Sequence, residues 1–557
     1  VPKTKLLLGF LISVILVIPL VYKLLRPGFF PIYDDMQVIR VNQMDKCIKD
    51  GQIPCRWVPD LGYGYGYPLY QYYAPLPYYL MEVTHLSGLS FVDSVKAGFI
   101  LSMVLSGMFF YLFLKSFLPK SAALFGTILY LYAPFKAADL YVRGAMGELW
   151  GFVALPLVLW GFESLIRKKT KLSMALFAAC LAIYLTSHNL TVLMSLPVVF
   201  SWMVLRLIRQ KAGKETLVKL AISGLIGLAV SSFYWLPLVI ERNLVYLETL
   251  KQGYFNYLAH FISLKQIFIS TKWGYGPSIE GALDDAFLGL GPIASLFGSL
   301  GILFGIISKK KEIKIVSVFF GLLFIASAFL SHGRSAGIWA NLGFLQFLQF
   351  PWRFMLIGVF TTSVLGGIFV STLKEKTSWI LCVILFIGTL ALYGNYYQPR
   401  GWLDISDGEK LSGELLERQL TASIYDYLPK VAKYAPKAKA PDSLIVQSGQ
   451  AEILNYERGS NWYGARVEAG KDGASLVIPA YNFPVWEVRV NNQKVVSQGV
   501  GELGLVGFNV SAGKSEISAK LLKTWPRKVG DTLSLLAILG LLSLSTYEFF
   551  IRKNKKN

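Results

Sequence analysis

Long apolar runs, each ended by a basic cluster or a polar break, constrain this chain more than any other feature. A run of about 18 or more uncharged residues satisfies its own backbone as a helix and can cross the hydrocarbon core of a bilayer. Such runs, some shorter, fall at 6–25, 97–114, 122–133, 149–166, 172–185, 190–208, 220–240, 287–307, 315–330, 354–373, 379–393 and 533–550. They predict a polytopic α-helical membrane protein with about twelve crossings. Hydrophobic residues make up 54% of the 557 positions and charged residues 16%; soluble domains hold roughly 45–50% and about 25%. The first run lacks a small-residue cleavage site, so it reads as an uncleaved span rather than a signal peptide. The third stops at Pro134, and the fifth runs into Ser187-His188-Asn189. A broken helix is tolerated in a bilayer only where its freed backbone is buried in protein or lines a cavity.

Lys/Arg bias in short loops orients the spans. The clusters are Lys115 and Lys120; Arg167, Lys168, Lys169 and Lys171; Arg206, Arg209, Lys211 and Lys214; Lys309, Lys310 and Lys311; Lys374 and Lys376; and Arg552, Lys553, Lys555 and Lys556. All fall on one side of the twelve-span arrangement, which places both termini in the cytoplasm. A net charge of +21 would suggest nucleic acid in a soluble protein. Here the clusters are topology determinants, and no nucleic-acid partner is expected.

The opposite side carries the large polar segments 26–96, 241–286 and 394–528. The chain thus divides into a membrane module at 1–393, an outer soluble domain at 394–528, and a last span with a basic tail at 529–557. The outer domain starts with a polar helical stretch at 408–420 and a linker rich in Pro, Ala and Lys at 429–441. Period-two alternation follows, as in Tyr463-Gly464-Ala465-Arg466-Val467-Glu468 and Trp486-Glu487-Val488-Arg489-Val490, with turn signals at Asn491-Asn492 and Gly513. These features predict antiparallel strands and a small β-sandwich outside the membrane. No internal repeat is visible, so sequence symmetry lends nothing to an inverted-repeat transporter. Cys47 and Cys55 lie in the first outer loop and would pair if that compartment is oxidising. Cys180 and Cys382 sit in apolar runs as packing residues.

Unusual polar residues gather on the outer side. Asp34-Asp35 follows the first span. Adjacent carboxylates there serve as a general base, hold a divalent ion such as Mg or Mn through oxygen ligands, or merely cap the helix running toward Lys49. Tyr63, Tyr65 and Tyr67 alternate with glycine after Trp57-Val58-Pro59-Asp60. They suit an aromatic belt, a wall for a sugar or lipid head group, or both. Arg143 and Glu148 precede the fourth span and either pair with each other or leave Arg143 to bind phosphate. His188 and Asn189 stand at the helix break, and Arg353 opens the tenth span within Phe350-Pro351-Trp352-Arg353-Phe354. Ionisable groups at such places are functional candidates, set against a hydrogen-bonded structural role for His188 and snorkelling for Arg353.

Taken together, Asp34-Asp35, Trp57-Val58-Pro59-Asp60, Tyr141-Val142-Arg143-Gly144 with Glu148, Ser187-His188-Asn189-Leu190 and Phe350-Pro351-Trp352-Arg353-Phe354 carry a resemblance. The chain resembles bacterial polytopic membrane proteins described as having a 6-pyruvoyl-tetrahydropterin synthase-related domain. The resemblance runs from about residue 30 to 354 and continues loosely at Tyr425-Asp426-Tyr427-Leu428-Pro429. The soluble pterin synthase holds zinc on three histidines. This chain has only His85, His188, His260 and His332, with no metal-ligand spacing and none in the β-domain. The architecture is similar instead to GT-C glycosyltransferases, with Asp-Asp standing where Asp-Glu or Glu-Asp is usual.

That similarity implies a polyprenyl-phosphate-linked sugar donor, a glycan, lipid or protein acceptor, and inverting transfer at the outer face of the cytoplasmic membrane. Asp34 or Asp35 would be the base, and Arg143, Arg353 and His188 would steady the phosphate, while metal use stays open. Two other classes compete: a glycolipid or polysaccharide flippase or transporter, and a non-enzymatic envelope assembly protein. Convergence of Arg143, Glu148, His188 and Arg353 on Asp34 in one cavity is the expectation that bears most on the choice.

Overall fold

The computed structural model describes residues 3–279, 284, 287–422 and 424–554, with helix and strand side chains described from 6 to 544. It is a helical membrane protein with a C-terminal β-sheet domain. Every predicted apolar run lies on a helix: α1 (Lys3–Val21), α2 (Phe91–Leu114), α3 (Lys120–Leu131), α4 (Met146–Lys168), α5 (Lys171–Ser187), α6 (Asn189–Arg209), α7 (Lys214–Val230) with α8 (Ser232–Ile240), α9 (Gly291–Ile307), α10 (Lys311–Ser331), α11 (Met355–Ser371), α12 (Glu375–Tyr393) and α13 (Trp525–Asn554). Among the described residues, seven helices are long and apolar enough to cross a membrane. The bent pair α7–α8 brings this to eight, and α3, α5 and α9 are shorter apolar helices. The seventh predicted run is therefore broken rather than straight, with a 74° bend.

Burial sorts these helices into layers. The apolar window of α4 is wholly buried and that of α11 is 89% buried, against 33% for α1 and 28% for α12. So α4 and α11 form the centre and the others wrap them. Close packing around α11 uses small residues, as expected where lipid tails provide no hydrophobic drive. A Cβ on Gly301 of α9 would lie 2.1 Å from the Leu365 carbonyl oxygen of α11, so α9 can sit there only with glycine.

The β-domain is one seven-stranded sheet, with strands β1 (Ile445–Arg458), β2 (Trp462–Tyr481), β3 (Trp486–Val490), β4 (Gln493–Val495), β5 (Gln498–Val500), β6 (Leu505–Val510) and β7 (Gly513–Leu521). The order is β4-β3-β7-β2-β6-β5, with β1 also on β2. The alternation at 463–468 and 475–479 predicts two strands, yet both belong to β2. Its first half pairs with β7 and its second half with β6, while β1 runs along its other edge. The predicted sandwich is thus a single sheet organised on one long strand. Val467, Leu476, Ile478, Phe508 and Ile517 fill its core, together with Trp57 and Tyr65 from the segment 26–96.

That segment is ordered by its own helices and by the β-domain. Cys47 and Cys55 form a disulfide. Asp407 accepts the Phe91 and Val92 amides at 2.7 and 2.9 Å, capping α2 from far along the chain. Arg458 reaches Asp60 at 3.4 Å, and the Ala440 amide donates to the Tyr63 carbonyl at 2.9 Å.

Candidate active site

The site begins with a strap. The Tyr33 and Asp34 amides donate to the Val142 and Arg143 carbonyls at 3.1 and 2.8 Å. The Gln37 side-chain amide donates to the Gly144 carbonyl at 3.0 Å and to Asp34 Oδ2 at 2.8 Å. Arg40, one helical turn beyond Gln37, pairs with the same Oδ2 at 3.1 Å. Helical spacing i, i+3 sets Gln37 and Arg40 on one face toward that carboxylate. Asp34 and Asp35 do not cap this helix: it starts at Met36 without a side-chain cap. Gly144 is left-handed, φ +65°, and a Cβ there would meet Ile32 at 2.4 Å, so glycine lets the strap close.

Glu148 lies on the first turn of α4 and is fully enclosed. Arg143 Nη1 approaches its Oε2 at 2.5 Å and Arg353 Nε its Oε1 at 2.5 Å. Arg143 also pairs with Asp139 and lies over the Trp352 ring, 4.4 Å from its centroid. Arg353 Nη1 is held by the Leu348 carbonyl at 2.7 Å and Gln349 Oε1 at 2.9 Å. Its Nη2 donates no hydrogen bond among the described residues. Arg143 and Arg353 meet on Glu148, and Arg143 continues to Asp139, so the cluster is one buried, hydrogen-bonded knot.

His188 stands in extended backbone between α5 and α6, with Nδ1 2.9 Å from Thr191 Oγ1. It packs on α4 where Gly147 leaves room: a Cβ there would lie 2.5 Å from His188 Cδ2. Asn189 donates to the Tyr72 carbonyl at 2.7 Å and accepts from Tyr234.

These groups line one cavity of about 610 Å³. Asp34, Arg143, Glu148, His188, Asn189 and Arg353 all face it, with Arg40, Tyr72, Tyr73, Arg242, Tyr254 and Asp426. Leu238, Val239, Leu247 and Leu250 make an apolar flank. Tyr33, Arg143, His188, Arg242, Phe347 and Asp426, from stretches far apart in the chain, all contribute to its wall.

Other sequence candidates lie elsewhere. Asp35 turns away from the cavity to Lys410 at 2.6 Å. Burial pushes its carboxyl pKa up, against the pull of Lys410. Tyr63 donates to Glu417 at 2.5 Å, Tyr65 packs on Tyr481 at 5.9 Å, and Tyr67 is buried beneath the loop. Tyr63 and Tyr65 therefore meet the C-terminal domain and Tyr67 the helical core, and none walls the cavity; Tyr72 and Tyr73 take that place. Asp34 and Asp35 diverge to separate cations, so a divalent ion shared between them would have to displace Arg40 or Lys410. No group of three His, Cys, Asp or Glu side chains suited to a metal occurs among the described residues.

Sequence reasoning missed Arg40 and Arg242 as wall residues, whereas Tyr72 and Tyr73 continue the aromatic run read as a wall and Asp426 lies in the loose motif at 425–429. Of those two arginines, Arg40 had a local signal, its helical spacing from Gln37.

No family model matches the chain. The resemblance to the pterin-synthase-related membrane proteins therefore stands on its motifs alone. An uncharacterized protein of Lactococcus lactis subsp. cremoris (strain MG1363) is 28% identical over 228 residues, covering 39% of this chain and 35% of that protein. The Archaeoglobus fulgidus oligosaccharyltransferase complexed with Zn and sulfate is similar over 72% of this chain and 53% of its own, with 15% identity and a TM-score of 0.41. Its apo form covers 72% and 56%, with 15% identity and a TM-score of 0.39. The chain spans about a third of the curated relative and about half of each of these solved chains.

Proposed function

We propose that this chain is a membrane glycosyltransferase that moves a sugar from a polyprenyl-phosphate donor to an acceptor hydroxyl at the outer face of the cytoplasmic membrane. One observation carries the proposal: residues from stretches far apart in the chain meet in one cavity that has a carboxylate, arginines and an apolar flank. The carboxylate is Asp34, held by Arg40 and Gln37 through Oδ2. The apolar flank suits a lipid tail, and Arg353 Nη2 with Arg242 suits the phosphate beside it. This arrangement also supports about twelve crossings with both termini cytoplasmic.

In the proposed step the acceptor hydroxyl gives its proton to Asp34 while its oxygen bonds to the anomeric carbon. The bond from that carbon to the phosphate oxygen breaks, and the lipid phosphate leaves with the electron pair. Arginine donors oppose the charge that develops on it. Attack opposite the leaving group inverts the anomeric centre.

Asp34→Asn keeps the shape and removes the base, and a positioned base is worth about 10²–10⁴-fold. Transfer from a polyprenyl-phosphate sugar should fall by that factor, with insertion and size-exclusion profile unchanged. Full activity would end the assignment of the base. Lipid translocation in liposomes without any new glycosidic bond would favour the flippase alternative.

A further inference from the structure

Asp426 comes to the cavity, with its neighbour Tyr427, from the linker between the membrane module and the β-sheet, far in sequence from the other wall residues. The linker is fastened to the second outer loop by a short antiparallel ladder. The Tyr246 amide donates to the Leu428 carbonyl at 2.9 Å, and the Lys430 amide to the Leu244 carbonyl at 2.9 Å. Val245 and Pro429 face each other in the same pairing, and Thr249 Oγ1 donates to the Tyr425 carbonyl at 3.0 Å. On the other side of Asp426, Tyr427 stacks on Tyr72 with centroids 5.7 Å apart and planes at 20°. Backbone pairing on one side and ring stacking on the other thus set where Asp426 faces.

Its surroundings have a distinct chemistry. Tyr72, Tyr73 and Tyr427 all line the cavity with Asp34 and Asp426. Tyr73 lies under Arg40, 4.7 Å from ring centroid to guanidinium, and Arg40 holds Asp34. Contact therefore runs from Asp34 through Arg40 to Tyr73, while Tyr72 and Tyr427 carry the wall on to Asp426. Ionised carboxylates only accept hydrogen bonds, so they match hydroxyl donors. Tyrosine rings offer flat apolar faces for C–H surfaces. Two carboxylates among three tyrosines suit a polyhydroxylated ring better than a peptide backbone, which needs donors and acceptors in alternation.

We propose that Asp426 accepts a hydrogen bond from a hydroxyl of the acceptor, and that the acceptor is a carbohydrate. This rests on the glycosyltransferase reading above. Asp34 takes the proton of the attacking hydroxyl, and Asp426 holds a second hydroxyl without exchanging a proton with it. The β-domain is then part of the site, because its linker supplies the residue that orients the acceptor.

The test uses the full chain in nanodiscs, a synthetic polyprenyl-phosphate glucose donor, and two acceptor probes: methyl hexosides and a Ser/Thr peptide. A site that hydrogen-bonds a hydroxyl discriminates strongly against its loss. Asp426→Asn should raise the hexoside KM about tenfold or more, with donor KM changed less than twofold, and Asp426→Glu should recover part of the loss. An unchanged hexoside KM in Asp426→Asn, or transfer to the peptide alone, overturns the inference and leaves the transferase reading standing. If the wild type transfers nothing, that reading fails instead. Saturation-transfer NMR of the hexosides then decides the inference: binding lost in Asp426→Asn supports it, and equal or absent binding overturns it.

Discussion

Two buried glutamates sit near opposite ends of α4, and each is gripped by arginines. Glu148 takes Arg143 and Arg353, both at 2.5 Å. Glu163 takes Arg206 at 2.7 Å and Arg167 at 3.4 Å, and Arg206 continues to Glu312 at 2.6 Å. Fifteen residues of helix rise put roughly 22 Å between them. Their local chemistry is nearly the same, a buried carboxylate neutralised by guanidinium forks. Their settings differ. Glu148 faces the cavity with Asp34 and His188, whereas Glu163 ties the basic junctions after α4, after α6 and before α10 to one another. The same ion-pair motif therefore builds a ligand wall at one end and a brace at the other. What separates them is whether the surrounding junctions leave room.

That contrast can be broken by substitution. Breaking one partner of a buried pair costs about 3–5 kcal/mol, because the remaining charge stays buried and uncompensated. Glu148→Gln and Glu163→Gln should lower thermal stability in detergent by similar amounts. Glu148→Gln should also lose transfer by about 10²-fold or more through misplaced arginines. Glu163→Gln should keep its transfer rate per folded molecule. Equal losses of activity in both variants would remove the distinction.

Gly147→Ala sharpens the cavity end. The new methyl would meet His188 at 2.5 Å, so the ring must move or the helices must part. Overpacking of this kind costs about 1–3 kcal/mol. Tm should fall accordingly, with a larger fractional loss of transfer than the matched change Gly337→Ala, where a Cβ meets nothing within 4 Å.

A third buried acid, Glu82 in the segment 26–96, differs from both because no arginine pairs with it among the described residues. Neither carboxyl oxygen meets a hydrogen-bond donor among the described residues, and the Asp45 carboxyl lies beside it. Burial and neighbouring Asp45 push its pKa from 4.5 up to about 7. The folded chain therefore holds this proton more tightly than the unfolded chain. Its contribution is full below about pH 4.5 and is lost as pH rises through 7, a change of about 1–3 kcal/mol. Glu82→Gln should raise Tm at pH 8 and leave it unchanged at pH 4.5. A Tm difference independent of pH would exclude the linkage.

Much of the candidate site was legible because its residues break local rules. A histidine at a helix break, an arginine opening a span and carboxylates at a membrane exit are each costly near lipid, so each stands out in a single sequence. Tyr63, Tyr65 and Tyr67 stand out equally, yet Tyr63 and Tyr65 meet the C-terminal domain and Tyr67 packs into the helical core. Tyr72 and Tyr73, a few residues on, look the same in sequence and line the cavity. Nothing in an aromatic residue's type says which surface its loop will press against. Asp426 was visible only as part of a loose motif, since its position depends on a backbone ladder to residues 244–246 and on one ring stack.

Apolar run length and loop charge determined the helical membrane class, where the helices lie and, as proposed, which junctions share a side. These follow from transfer of local segments between water and lipid, a property each segment carries alone. The period-two pattern likewise determined that the C-terminal domain carries strands. Only the tertiary structure decided that α7–α8 bends, that β2 joins two predicted strands, and that Asp34 faces the cavity while Asp35 faces Lys410. Those outcomes turn on close contacts between segments distant in sequence, and no local periodicity encodes them.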